Sequence, residues 1–157
     1  MVEKQNIITK KLINLNLKAG TKEEAIHELA DMLFTEKKIS SVSGFLESVF
    51  KRESTMSTYC GFDVAIPHAV SPCVKEVAFA FGRTDGFLWG DDDGTVKFIF
   101  LLAIPELTNE NSTSSQHIDM MSSVAQLALD ENVRKKWREA KSNDEILQSF
   151  IYEQTAE

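Results

Sequence analysis

The sequence predicts a single α/β domain, residues 1–157, in which a mixed β-sheet is flanked by helices on both faces. Three observations predict it: apolar residues recur with helical spacing in several segments, other segments resemble strands, and the two kinds interleave along the chain. With 157 residues, 43% of them hydrophobic and 26% charged, the chain is long enough to bury one full core.

The net charge of -7 argues against a nucleic acid or an anionic lipid surface as the main partner, because either would be repelled. A neutral metabolite or another protein fits better. The polar first six residues do not look like a cleavable signal peptide, and the longest apolar run, Phe98 to Ile104, is too short to span a bilayer. We therefore expect a soluble, cytoplasmic chain.

The first elements show clear periodic patterns. Ile13 to Leu17 alternates like a half-buried strand, and Thr21 to Glu24 forms a capping box that opens a helix. His27 lies off the apolar stripe of that helix and is expected to be a solvated surface residue. The predicted stripe consists of Ala25, Ile26, Leu29, Ala30, Leu33 and Phe34.

A second helix is predicted to begin near Ser41, and its last turn carries Arg52 on the inward-facing side. A charge that points inward needs a partner. For a guanidinium that partner is either a structural carboxylate or a bound anion held by a two-pronged contact. The apolar positions that define this helix are Phe45, Leu46, Val49 and Phe50.

An extended apolar run, Val64 to Ile66, precedes Pro67 and His68. Proline has no amide donor and favours an extended conformation in the residue before it, so a short strand is predicted to stop where His68 begins. An imidazole there could face a groove while packing holds the strand behind it. A histidine in an ordinary loop is the alternative.

Further strands are predicted at Val77–Phe81, Phe87–Trp89 and Val96–Ile104, with Gly90–Gly94 as the turn between the last two. The three consecutive acids in that turn lack the alternating ligands and distal glutamate of a calcium loop. We expect a solvated hairpin tip, no metal site and no cofactor.

The polar stretch Thr108–Gln116 is predicted to be a loop that leads into a helix, with His117 in its first turn. Amides and the positive dipole end gather there, which suits an anion. The alternative is that His117 only caps or packs the helix. The apolar positions of this helix are Ile118, Met121, Val124, Ala125 and Ala128.

The chain closes with the segment Asn132–Ala140 and, after a capping box at Ser142–Glu145, a helix. This last helix is predicted to bury Ile146, Leu147, Phe150 and Ile151.

The two cysteines, Cys60 and Cys73, form no Cys-x-x-Cys pair and have no histidine at metal-ligand spacing. They are expected to be reduced, partly buried thiols. A nucleophilic role is disfavoured, because neither is followed by a glycine- and hydroxyl-rich loop that would bind an anion.

Several separated motifs, taken in order, resemble the enzyme IIA domains of the fructose–mannitol class of the bacterial phosphotransferase system. The likeness covers nearly the whole chain and includes the terminal Ser-x-x-Glu-Ile pattern. It implies the phosphotransferase/anion-transport-protein fold. The motifs are Arg52-Glu53, Thr58, Gly61, Val64 to His68, Phe100 to Pro105, and His117 at the start of a helix.

The resemblance implies a phosphocarrier. His68 would accept a phosphoryl group on Nε2 from the phosphocarrier protein HPr and pass it to a cysteine of a cognate IIB domain, and the sugar would be met later by a membrane IIC domain. His117 and Arg52 would lie beside His68, and Thr58 would offer a hydroxyl contact to phosphate. The chemistry agrees, since a neutral imidazole is a competent nucleophile and phosphoryl transfer needs mainly positioning and positive groups.

The chain departs from the family pattern at Tyr59 and Asp63, where relatives usually carry glycines. The loop before His68 is therefore bulkier and more negative. A carboxylate aimed at the phosphate would repel it, so Asp63 is expected to face solvent or to pair with a base.

The alternatives are a regulatory protein and a histidine-based hydrolase. In a regulatory, nitrogen-type IIA protein the same histidine would control binding to target proteins through charge repulsion. A histidine-based hydrolase is disfavoured, because no serine lies in a strand–turn–helix elbow.

No phosphate-binding glycine motif is present, so a nucleotide need not be the donor. The resemblance implies that other domains choose the sugar, so fructose, mannitol, galactitol and related polyols all stay open.

Overall fold

The structure, a computed structural model, describes the backbone of residues 7–106 and 114–155 and the side chains of residues 7–106 and 121–150. A 3-10 turn at Lys10–Leu12 precedes the first strand. The helices are α1 (Lys22–Thr35), α2 (Val42–Thr55), α3 (Ser114–Leu129), α4 (Glu131–Glu139) and α5 (Asn143–Thr155). The strands are β1 (Ile13–Asn14), β2 (Tyr59–Gly61), β3 (Val64–Ala65), β4 (His68–Ser71), β5 (Ala78–Leu88) and β6 (Thr95–Pro105).

The strands form one mixed sheet in the order β1-β5-β6-β3-β2, and β4 also pairs with β6. Strands β5 and β6 are antiparallel, as are β2 and β3. Strand β1 runs parallel to β5, while β3 and β4 run parallel to β6. The predicted mixed sheet is therefore confirmed.

Helices cover both faces of this sheet. On one face Phe81 and Phe100 pack against Trp137 of α4, with ring centroids 5.6 and 5.2 Å apart. On the other face α1 lies against the bare backbone of Gly82, where an added Cβ would come within 3.1 Å of a Leu29 methyl carbon. This close approach requires glycine. The predicted arrangement of helices on both faces is confirmed.

Strand β1 is shorter than the predicted run from Ile13 to Leu17. The side-chain oxygen of Asn14 accepts a hydrogen bond from the amide of Asn16 at 2.9 Å, and this local bond turns the chain out of the sheet. The amide of Leu17 still donates to Arg83 O at 2.9 Å. Side-chain-to-backbone bonding at an asparagine therefore ended the strand early.

The helix starts predicted from capping residues are confirmed. Thr21 Oγ1 accepts from the amide of Glu24 at 3.2 Å, and the amide of Gly44 donates to Ser41 Oγ at 3.1 Å. His27 is exposed on α1, 3.3 Å from Asp31. The predicted core position Phe34 was wrong, because its side chain is 49% exposed at the end of α1.

The hairpin differs from the prediction in one respect. The two strands predicted at Val77–Phe81 and Phe87–Trp89 form one strand, β5, whose register against β6 shifts between Arg83 and Phe87. A bulge therefore interrupts the apolar pattern without ending the strand. The turn predicted at Gly90–Gly94 is confirmed by the bond from Trp89 N to Gly94 O.

The C-terminal helices match the prediction closely. Of the predicted loop Thr108–Gln116, residues 108–113 lie outside the described part, and its last three residues belong to α3 instead. Val124 and Ala128 are buried, whereas the side chains of Ile118 and Ile151 lie outside the described part. Among the described residues, no helix has both the length and the apolar character needed to cross a membrane.

Arg83 joins the sheet to the C-terminal end of α4. Its Nε donates to Leu15 O at 3.1 Å, and its Nη1 lies 2.9 Å from Trp137 O and 2.7 Å from Ala140 O. Carbonyls at a helix C-terminus have no partner within the helix, and a cation there also complements the helix dipole. This half-buried guanidinium therefore fixes α4 against β5.

We expect Arg83→Met to lower the free energy of unfolding by about 2–3 kcal/mol, because several part-buried carbonyls lose a charged donor. Urea denaturation measures the change. Lys135→Met on the exposed side of α4 is the control and should alter stability by less than about 0.5 kcal/mol. Equal effects of the two substitutions would contradict this role of Arg83.

Candidate active site

His68 lies in a shallow surface cleft of about 240 Å³ at the edge of the sheet. The cleft collects residues from the end of α2, the loop after it, strands β2 and β4, and helix α3. The structure thus brings together three of the predicted site residues, Arg52, Thr58 and His68. The other lining residues are Ser57, Tyr59, Cys60, Ile66, Met121 and Ala125.

The register of β6 sets the position of His68. Strand β3 pairs with β6 at Phe98 and Ile99, and β4 resumes the pairing at Leu102, which is opposite His68. The expectation that a strand stops before His68 was correct for β3, which ends at Ala65, but His68 itself opens a new strand. The chain stays beside β6 between them, because Pro67 O accepts from Leu102 N at 2.9 Å.

The ring of His68 has a defined orientation. Its Nδ1 lies 2.9 Å from Ile66 O, and a carbonyl oxygen can only accept, so Nδ1 carries the proton in this contact. In the neutral ring the lone pair is then on Nε2. The residue is partly exposed to the cleft, so the basic nitrogen belongs to a side chain that an incoming group can reach.

Arg52 supplies positive charge to the cleft. It is half-buried in the last turn of α2, and its Nη1 donates to Met56 O at 2.8 Å. Of the two predicted partners, a carboxylate is not found among the described residues, where a backbone carbonyl just beyond the helix accepts instead, and a bound anion stays a prediction. This bond occupies one nitrogen of the guanidinium fork and anchors the side chain at the cleft wall.

Glu53, the next residue, is a buried carboxylate that holds the loop after α2. Thr58 donates to it twice, from Oγ1 at 2.7 Å and from its amide at 3.0 Å. Trp89 Nε1 donates at 2.9 Å, and Lys22 Nζ lies 3.7 Å away. Three donors and one cation compensate the burial of this charge.

These bonds continue to the histidine. Thr58 O accepts from the amide of Ile66 at 3.0 Å, and Ile66 O is the acceptor beside His68 Nδ1. A continuous series of hydrogen bonds therefore links the Glu53 carboxylate to the imidazole ring. The role of Glu53 was missed in the sequence, although its helical spacing from Phe45 and Val49 placed an acid on a buried stripe.

The Thr58 hydroxyl makes a different contact from the predicted one. Its proton is donated to Glu53 and the residue is buried. The predicted hydroxyl contact to phosphate stays a prediction.

The loop before His68 adopts the conformation that glycine favours. Gly61, Phe62 and Asp63 have φ angles of 83°, 55° and 68°. Asp63 was expected either to face solvent or to pair with a base. Within the described residues no basic group lies within 4 Å of its carboxylate, so it forms no salt bridge there. Desolvation by burial is the main cause that raises the pKa of Tyr59, and the negative charges of Asp63 and Asp93 raise it further. The phenol therefore stays protonated.

Cys60 and Cys73 form no disulfide, as expected. Cys60 is exposed as a residue, contrary to the expected partial burial, yet desolvation raises the pKa of its thiol and disfavours a thiolate. Among the described residues there is no group of three His, Cys, Asp or Glu side chains that could hold a metal ion.

His117 is in the first turn of α3, as predicted from the sequence. Its side chain lies outside the described part. Met121 and Ala125, four and eight residues further along the helix, line the cleft.

Comparisons with known proteins agree on one family. Residues 6–153 match the model of the phosphoenolpyruvate-dependent sugar phosphotransferase system, EIIA 2. The chain is 34% identical over 139 residues to the 2-O-alpha-mannosyl-D-glycerate-specific EIIABC component of Escherichia coli (strain K12), covering 87% of this chain and 20% of that one. It is also 34% identical over 143 residues to the fructose-specific EIIABC component of Bacillus subtilis (strain 168), covering 90% and 22%.

The chain thus spans about a fifth of the length of these two relatives. Among solved structures, the nitrogen regulatory protein IIA-Ntr of Neisseria meningitidis superimposes with a TM-score of 0.82 at 27% identity, covering 92% of this chain and 97% of that one. The resemblance drawn from the separated motifs is confirmed, and the chain belongs to the EIIA 2 family of the phosphoenolpyruvate-dependent sugar phosphotransferase system.

Proposed function

We propose that this chain is a phosphocarrier that accepts a phosphoryl group on His68 from phospho-HPr and passes it to a cysteine of a IIB domain. The observation that carries the proposal is the orientation of His68: its Nδ1 proton is held by Ile66 O, which leaves the Nε2 lone pair for the attack. Membership of the EIIA 2 family supports the phosphocarrier role.

The transfer is a pair of in-line displacements. The Nε2 lone pair of His68 forms a bond to phosphorus as the bond between phosphorus and the HPr donor group breaks. The thiolate of the IIB cysteine then bonds to the same phosphorus, and the bond to Nε2 breaks. The protein needs mainly to position the groups and stabilise the equatorial oxygens, for which Arg52 is the cation at the cleft.

We assign His117 to the same site. Met121 and Ala125, which line the cleft, follow it by four and eight residues on α3, and this helical spacing supports the assignment. The first turn of a helix also favours an anion through its free backbone amides and positive dipole end, which supports the same assignment.

A IIB domain as acceptor is supported by the names of the two relatives at 34% identity, in which EIIA, B and C parts belong to one protein. Because these two names carry different sugars, we propose a sugar transport role without choosing the sugar.

A regulatory role is the second candidate, favoured by the likeness to the nitrogen regulatory protein of Neisseria meningitidis. In that case phosphorylation of His68 would add negative charge at a docking surface and change the affinity for a target protein. Transfer to a IIB domain separates the two roles.

Radiolabel from phosphoenolpyruvate, passed through enzyme I and HPr, tests the proposal directly. We expect acid-labile label on the wild-type chain and none on His68→Gln, followed by discharge to a IIB domain of the fructose or mannitol class. His27→Gln is the control and should be labelled normally. Label that forms on His68 but passes to no IIB domain would favour regulation, and an unlabelled wild-type chain would reject the phosphocarrier function.

We expect Glu53→Gln to slow phosphorylation of His68 by about 10- to 100-fold, because an amide cannot accept all three hydrogen bonds and the loop that orients His68 loosens. Rapid-quench labelling gives the rate, and ¹⁵N NMR of the imidazole reports the tautomer. Glu47→Gln, an exposed change on the same helix, should leave both unchanged. A normal rate with a normal tautomer in Glu53→Gln would rule out this positioning role.

We expect Asp63→Gly to change the phosphorylation rate by no more than about fivefold, the scale of a charge interaction that solvent still screens. The free energy of unfolding of this variant should stay within about 1 kcal/mol of the wild-type value. Glycine adopts the left-handed φ at this position without strain, but it also makes the unfolded chain more flexible, and the two effects offset each other. Asp63→Asn removes only the charge and serves as the matched variant. Markedly faster labelling of both variants would show that the carboxylate repels the incoming phosphoryl group.

A further inference from the structure

A second cavity, of about 340 Å³, lies between β5, β6, the segment after β1 and the end of α4. Its volume is at the low end of the range for small-molecule sites. Its polar side chains are those of Asn16, Arg83, Thr84, Asp85, Lys97 and Arg138.

The cavity is positively charged in an otherwise acidic protein. Three cations, Arg83, Lys97 and Arg138, face one carboxylate, Asp85, so the lining carries an excess of two positive charges while the chain carries -7. An excess of cations around a concave surface raises the positive electrostatic potential inside it, and this potential attracts anions.

Two of these cations have no partner among the described residues. The side chains of Lys97 and Arg138 make no hydrogen bond and no ion pair there, not even with Asp85. Arg83, in contrast, is held in place by the carbonyls at the end of α4. The cavity therefore combines one fixed guanidinium with two charged donors available to a ligand.

The bulge in β5 shapes one wall of the cavity. Gly86 has a φ of 125°, and the methylenes of Lys97 lie along it, with Cε 3.7 Å from the point a Cβ would occupy. The lysine stem thus packs on bare backbone beside the cavity.

The cavity is separate from the His68 cleft. Arg83 is level with Phe98 in β6, whereas His68 is level with Leu102, four residues or roughly 13 Å along the strand. Moreover, β5 borders β6 on the side opposite to β3 and β4. A ligand there would not lie on the path of the phosphoryl group.

We propose that this cavity is a binding site for a small phosphate-bearing metabolite, with Lys97 and Arg138 as the ligand-contacting cations and Arg83 as a fixed positive wall. A phosphate dianion matches the excess of two charges and accepts from both guanidinium and ammonium donors. The cavity leaves room for the small organic part of a phosphate monoester. This inference does not depend on the phosphocarrier function.

The test is an NMR titration of ¹⁵N-labelled protein with inorganic phosphate and with a hexose monophosphate, at constant ionic strength. The Arg52→Met background is used so that the His68 cleft does not compete. We expect saturable shifts of the amides of Asn16, Thr84 and Lys97. The double variant Lys97→Gln/Arg138→Gln should bind at least about tenfold more weakly, since two charge-assisted contacts are lost.

The double variant Lys135→Gln/Lys141→Gln removes the same charge from exposed positions and should bind within about twofold of the parent, as expected for remote, screened charges. Linear, non-saturating shifts, or equal weakening in both double variants, would mean an adventitious ion only and would overturn the proposal. Succinate that binds more tightly than either phosphate compound would overturn the assignment to phosphate.

Discussion

The buried carboxylate of Glu53 is the interaction on which the geometry of the candidate site depends. An ionised carboxylate removed from water costs several kcal/mol, roughly, unless donors replace its hydration. Here the donors come from three separate places: the loop after α2, the hairpin through Trp89, and α1 through Lys22. The carboxylate therefore joins the first two helices, the hairpin and the loop after α2 into one unit.

Strand β6 provides the second constraint. It pairs with β5 along one side and with β3 and then β4 along the other. The pairing of β4 with this central strand fixes where His68 lies along the sheet. The proline before His68 cannot donate to a sheet, yet its carbonyl can accept, and the bond from Leu102 N uses this remaining capacity. The imidazole is therefore placed by sheet register and oriented by the local carbonyl of Ile66.

The sequence predicted what is encoded locally. Capping at Thr21 and Ser41, the glycine-bounded turn and the helical periods follow from interactions within a few residues. The prediction missed the partners of Glu53, because Trp89 is 36 residues away and no local pattern connects them. The predicted burial of Phe34 was wrong for a related reason. Phe34 follows the apolar period, but its burial depends on what packs beside the end of α1.

Positively charged side chains line both the His68 cleft and the second cavity. Arg52 lies at the His68 cleft, and Lys97 lies at the second cavity, on the other side of β6. Both sites would attract anions to a protein whose net charge repels them. The amides of Lys97 and Phe98 donate to Asp63 O, in the turn that leads to β3. The strand that carries a cation of the second cavity thus also holds the backbone of the loop before His68. A local change at Lys97 that disturbed these two bonds would act on the loop before His68, where the positive φ angles of Phe62 and Asp63 already store strain.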